Sequence, residues 1–193
     1  MRVSVEITGT TPLMMHNERL SDQDDEYTKA IKEYTDKGKN QTETDKQQVS
    51  SLEWRGGVYL DGNDEIVIPA ANIVKCFKEA GTRTKSGKKI TGGVSPVALV
   101  FPLEIDGPRH VDELRKSDRY YDRRMVKVGR GRIKRTRPIF AKWKIVPEFE
   151  IAESVLNLDA FRGIVELAGT AEGLGDARIL GYGRFKAKVT KIK

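Results

Sequence analysis

The chain is 193 residues long, 38% apolar and 33% charged, with 35 Lys and Arg against 28 Asp and Glu; that length buries one core and leaves residues over for long insertions. No apolar run reaches the ~18–20 residues that cross a bilayer, and the opening Met1-Arg2-Val3-Ser4-Val5-Glu6 alternates at once, unlike a signal peptide. A single cysteine, Cys76, excludes an internal disulfide and matches a reducing cytoplasm; with only two histidines beside it, no zinc site, other metal or cofactor is expected.

Val3, Val5 and Ile7 alternate with polar residues, which predicts a half-buried first strand. The polar stretch 16–51 contains a helix over 25–35 and little that belongs in a core. Its Asp24-Asp25-Glu26 reads as a solvated helix start. Residues 53–60 and 65–68, around Asp61-Gly62-Asn63-Asp64, read as two short strands of a hairpin. Pro69 opens the first core helix, whose Ala70, Ile73, Val74, Phe77 and Ala80 share one face and which ends at Gly81. Residues 82–93 form a mobile Gly/Lys/Thr loop that offers Lys85 and Lys88. Val97, Leu99, Phe101, Leu103 and Ile105 give the second core strand.

No core element is readable in 109–137. Twelve cations there face four acids, Asp112, Glu113, Asp118 and Asp122, a surplus larger than that of the whole chain. Val126, Val128 and Ile133 flank Gly129-Arg130-Gly131, which predicts a basic hairpin. Arginine pairs bidentately with phosphate and stacks on bases, so Arg119, Arg123, Arg124, Lys127, Arg130, Arg132, Lys134, Arg135 and Arg137 form a candidate surface for a single strand. Tyr120 is counted with them as a stacking partner, as is Tyr121.

Ile139, Ala141, Trp143, Ile145, Phe149 and Ile151 predict the third core strand. Asn157 or Asp159 caps a second helix that carries Phe161, Ile164, Val165 and Ala168, and Phe185, Ala187 and Val189 close the chain as a fourth strand. The order is β-α-β-β-α-β: a single α+β domain with a ferredoxin-like (RRM-like) core and two insertions, 17–51 and 108–137. If the apolar residues of each strand face the helices, Lys142, Lys144, Arg184, Lys186 and Lys188 make the open face basic. Phe140 and Tyr182 are the aromatics available to it.

Between the second helix and the last strand, Gly173-Leu174-Gly175 and Gly181-Tyr182-Gly183 are separated by five residues. Glycines so placed permit positive φ and close approach of a phosphate to backbone N–H groups. This spacing resembles the glycine loop of the RAMP superfamily, the RNA-binding proteins of CRISPR systems. Ile68-Pro69-Ala70-Ala71-Asn72-Ile73 is similar to that family's entry to its first helix, and Ile7-Thr8-Gly9-Thr10-Thr11-Pro12-Leu13 to its first strand and loop. Asn72 stands where serine is usual, and Asp176-Ala177 where a basic pair is typical.

The resemblance implies a non-catalytic, cytoplasmic RNA-binding subunit in the style of CRISPR backbone subunits. It would pair with itself or with partner subunits along a strand, with Gly173, Gly175, Arg178, Gly181, Gly183 and Arg184 receiving phosphates. No membrane partner is expected, and the acidic-leaning 18–45 region is assigned to a protein neighbour. A single-stranded DNA-binding protein of viral or mobile-element origin would use the same charges. Some RAMP relatives are metal-independent endoribonucleases that use an early histidine. His16 is the candidate for that role, although a lone histidine after Leu13-Met14-Met15 reads more simply as a packing or capping residue.

Overall fold

A computed structural model describes residues 1–108, 110–129 and 131–192, with the backbone but not the side chain of Val128. In chain order the elements are β1 (Arg2–Gly9), β2 (Leu13–Met14), α1 (Glu26–Thr35), α2 (Glu43–Gly57), β3 (Val67–Pro69), α3 (Ala70–Arg83), α4 (Gly87–Gly93), β4 (Val94–Pro96), β5 (Val100–Pro102), β6 (Glu104–Ile105), α5 (Val111–Leu114), β7 (Tyr121–Val128), β8 (Gly131–Phe140), β9 (Trp143–Ile145), β10 (Glu148–Ile151), α6 (Leu158–Leu167) and β11 (Phe185–Lys191).

β1 is the spine of the sheet. Its Val3, Val5 and Ile7 are fully buried, as the alternation predicts. One flank pairs with β11 from Val3↔Lys191 to Gly9↔Phe185. The other flank is shared: β10 pairs with Arg2–Ser4 and β9 with Ile7 and Thr8, so the third core strand is broken at Val146-Pro147. β4 pairs with β10 and β6 with β9. The order across the sheet is therefore last, first, third, second strand, with antiparallel neighbours throughout. This is an α+β fold with the ferredoxin-like arrangement.

α3 and α6 cover one face. Phe77 meets Phe149 and Phe161 at ring-centroid distances of 5.6 and 5.7 Å, which knits both helices to the sheet. The Asn157 side chain accepts from Ala160 N–H at 2.8 Å and starts α6. Pro69 occupies the N-cap of α3 rather than its first helical position, because β3 runs directly into the helix.

Several sequence expectations are corrected. Residues 53–57 are the last turn of α2, not a strand, and the expected hairpin shrinks to a bridge between Leu60 and Ile66. The reason lies in Gly56 and Gly57: a Cβ on Gly56 would sit 2.6 Å from Leu20 Cδ2, and one on Gly57 3.0 Å from Pro138 Cδ. These glycines let neighbours approach a helix; they do not make a turn. The 82–93 loop holds α4, with Ile90 fully buried, and α3 runs on to Arg83. The second core strand is cut into β4, β5 and β6, which pair with three different partners. Val97 and Leu99, expected in the core, are 41% and 85% exposed. Within 109–137, Val111, Leu114 and Tyr120 are buried in the main core.

α2 is the largest surprise in the polar stretch. Thr42 and Asp45 form a reciprocal capping box at its start, and Lys37 Nζ reaches Asp45 at 2.6 Å. At its other end Trp54 is fully buried, donates from Nε1 to the Tyr120 carbonyl at 2.7 Å and stacks on Tyr121 at 5.1 Å. Replacing Trp54 with Ala should lower unfolding free energy by about 3–5 kcal/mol, read from denaturant melts.

The hydrogen bonds from Lys37 and from the Thr42 N–H hold the Asp45 carboxyl down at about 2. Its folded value lies below its unfolded one, so its stabilisation is complete above about pH 4 and is lost as pH falls toward 2. Asp45→Asn should flatten that acid limb in thermal melts taken across the same range.

Candidate nucleic-acid interface

β7 and β8 pair in register from Tyr121↔Pro138 to Val128↔Gly131, and β8 continues into pairing with β2 at Leu13↔Phe140. Side chains of the two strands reach two neighbours. Toward α2, Arg123 Nε donates to Ser50 Oγ at 3.1 Å and Thr136 Oγ1 bonds the same oxygen at 2.9 Å. Glu53 is 4% exposed and accepts from Thr136 N–H at 2.7 Å and from Arg135 at 2.6 Å. Toward the glycine loop, Arg124 donates to Tyr182 OH at 2.7 Å and lies 5.1 Å above its ring, while Arg137 Nε stands 3.0 Å from Asp176 Oδ2.

The arginines singled out from the sequence are thus mostly engaged inside the protein. Arg119 pairs with Asp106, Arg123 with Asp118, Arg124 with Asp122, Arg135 with Glu53, Arg137 with Asp176 and Arg178 with Glu79. The carboxylate of Asp122 and the hydroxyl of Tyr182 raise the pKa of Arg124. Arg184 donates to the Arg178 carbonyl at 3.3 Å. The lysines are different: among the described residues, Lys127, Arg132 and Lys134 on the hairpin, and Lys85, Lys88 and Lys142 elsewhere, are exposed without an acidic partner. Arg130 lies outside the described residues.

The aromatic expectations are also revised. Tyr120 is 4% exposed with its hydroxyl on the Asp106 carbonyl, and Phe140 is 1% exposed; neither is free to stack on a base. Tyr121 is stacked against Trp54. The open sheet face is mixed in sign. Lys144 pairs with Glu6 at 3.0 Å, an interaction that raises the lysine's pKa, and Arg2 pairs with Glu148. Lys186 and Lys188 remain exposed on β11, and Lys142 sits in the turn before β9.

In the glycine loop, Gly173, Gly175, Gly181 and Gly183 all have φ between 71° and 87°. A Cβ on Gly183 would fall 1.8 Å from the Leu174 carbonyl oxygen, and one on Gly175 2.3 Å from that of Met14. The loop's N–H groups are largely spent on its own closure: Gly173 on Ala168, Leu174 on Gly183, Asp176 on Met14 and Gly183 on Pro12, at 2.7–2.9 Å. Its geometry serves to lock the last strand to the β1–β2 segment, rather than to present amides to phosphate. His16 follows the buried Leu13–Met15 run and lines the edge of a cleft against the hairpin, its ring partly shielded from water. Desolvation lowers its pKa; Asp176 opposes this, and Arg137 and Arg135 reinforce it. Among the described residues no group of His, Cys, Asp and Glu is placed to hold a metal.

The feature that sequence reading missed is a cleft of about 1490 Å³ between α1–α2 and the hairpin. Its cationic lining is Lys32, Lys46, Arg115, Arg123, Lys127, Lys134, Arg135 and Arg137, against Glu43, Glu53 and Asp118. The insertion 17–51, whose acidic-leaning 18–45 region is expected to face a protein neighbour, contributes Lys32, Lys46 and Gln47 to this wall. The Thr42-x-x-Asp45 signature at the head of α2 was the available signal.

No protein-family model matches the sequence, and no curated protein matches it. Among solved structures, the chain is similar to one in a cryo-EM structure of the Type III-B Cmr-beta complex bound to cognate target RNA, at 14% identity and a TM-score of 0.48. The match covers 98% of this chain and 60% of that one, so this chain spans less than two thirds of its neighbour's length.

Glycine substitutions separate the loop's two kinds of position. Gly181→Ala, where a Cβ meets nothing, should cost about 1–2 kcal/mol from left-handed strain alone. Gly183→Ala should cost about 1–3 kcal/mol more through overpacking, and the two are compared by chemical denaturation.

Proposed function

We propose that this protein is a single-stranded nucleic-acid-binding subunit, with RNA as its polymer, and that the strand lies in the cleft between the hairpin and α1–α2. The observation that carries the reading is the charge of that cleft: eight cationic side chains against three acidic ones, in a groove too large and open for a small molecule. Phosphates at regular spacing are the natural complement of such a wall, and each contact releases counterions. Hydroxyl and amide groups from Ser50, Ser51, Thr35 and Gln47 line the helical side, where a 2′-hydroxyl finds donors and acceptors. DNA is the competing polymer, and parallel titrations with the two discriminate them.

Self-association along the strand is the second part of the proposal. Ile179 is fully exposed and Leu180 68% exposed in the turn that Arg178 ties to Glu79, near the end of α3. Leu99, 85% exposed, accepts at its carbonyl from Ala70 N–H at the start of the same helix, beside exposed Val97 and Val100. Two apolar patches at opposite ends of one helix suit head-to-tail contact between copies. Light scattering on RNA of increasing length should show stepwise loading, and a fixed one-to-one mass on long RNA would remove this part of the proposal.

The binding test turns on the division between lysines and arginines. Replacing Lys127 and Lys134 together with Ala should weaken RNA binding and reduce the slope of log K against log salt by about 1.4, with the melting temperature unchanged. Arg135→Ala should instead lower the melting temperature, because it removes the partner of buried Glu53. Absence of single-strand binding at low salt would overturn the reading. A denaturing gel of the same samples checks for cleavage, and His16→Ala is its control.

A further inference from the structure

The cleft's two walls differ in chemistry. The hairpin lines the cleft with Val126 and Ile133, directly opposite one another in the β7–β8 register, and, from its other face, with Lys127 and Lys134. Ile133 is 38% exposed although the protein has a core available to bury it. The helical wall is written on α2 at helical spacing: Glu43, Lys46, Gln47, Ser50 and Ser51 all line the cleft. Most of these have duties already. Ser50 holds Arg123 and Thr136, Ser51 accepts from Arg115, and Lys46 pairs with Glu43. Gln47 is exposed and takes no part in the bonds that join α2 to the hairpin.

A nucleobase is apolar on its faces and polar at its edge. An aliphatic cross-strand pair and an uncommitted amide in one cleft, with lysines on both of its walls, match that division. We infer that Val126, Ile133 and Gln47 form a base-reading subsite within the cleft, and that it prefers adenine. The preference follows from the amide, which offers one donor and one acceptor and so pairs bidentately with adenine N7 and the N6 amino group. The aliphatic pair covers the face of the base, and the neighbouring lysines hold the flanking phosphates. This inference rests on the strand-binding reading above and adds base selectivity to it.

The test is fluorescence anisotropy on oligo(A), oligo(C) and oligo(U) RNA of equal length at one salt concentration, and then across a salt series. The wild-type protein should bind oligo(A) about fivefold or more tighter than oligo(U). Gln47→Ala should abolish that ratio and leave the salt slope unchanged, because no charge is removed. Gln47→Glu, which can only accept, should shift the preference from oligo(A) toward oligo(C), whose N4 amino group is a donor. Equal binding of the three RNAs by the wild type, or a uniform loss for all three in Gln47→Ala, would overturn the subsite and leave strand binding intact. Failure of the wild type to bind any of them would overturn both.

Discussion

Glu53 brings a carboxylate into a nearly closed space between α2 and β8, where leaving it without partners would cost several kcal/mol. The Thr136 N–H and the Arg135 guanidinium satisfy its two oxygens, and Trp54 beside it closes the same junction by stacking on Tyr121. These contacts fix the hairpin at one angle to the helical insertion. The cleft exists because two long insertions, far apart in sequence, are held together at their bases and left apart further out. An apolar seam along their whole length would have closed it.

The same accounting explains the division of labour among the cations. An arginine's planar fork suits a fixed carboxylate, and this protein uses most of its hairpin arginines that way. Their partners tie the hairpin to its own neighbours, to α2 and to the glycine loop. The charges left for a ligand are mainly lysines, whose flexible stems follow an irregular backbone without demanding one geometry. A surplus of positive charge in sequence is therefore a poor guide to which residues bind and which ones brace.

The core was legible wherever one side-chain period ran unbroken. β1, α3 and α6 each show their buried positions at the expected spacing, and β11 buries Phe185 and half-buries Ala187 and Val189 at its own. Reading failed where burial is set by distant partners. Val97 and Leu99 continue an alternating pattern, yet the chain leaves the sheet there to pair Val100–Pro102 with β3. Tyr120 looked like a stacking residue because its charged neighbours hid the carbonyls and rings that bury it. The hairpin and its turn were legible in the sequence. Its ion pair with α2 was not, since Arg135 and Glu53 lie 82 positions apart, nor was the glycine loop's with α3, since Arg178 and Glu79 lie 99 apart. The end of α2 was obscured by Gly56 and Gly57, which resemble a turn until the packing of Leu20 and Pro138 is known.

Among the described residues β11 pairs only with β1, so its far side is there a sheet edge with unpaired backbone groups. Such an edge is a template on which another chain can add a strand, and crowding many copies together raises that hazard. Lys186, Lys188 and Lys191 are all exposed along it. Lysines so placed repel an incoming identical strand before its hydrogen bonds can form. The last strand thereby guards the protein against irregular sheet-to-sheet aggregation, whatever its lysines contribute to ligand binding.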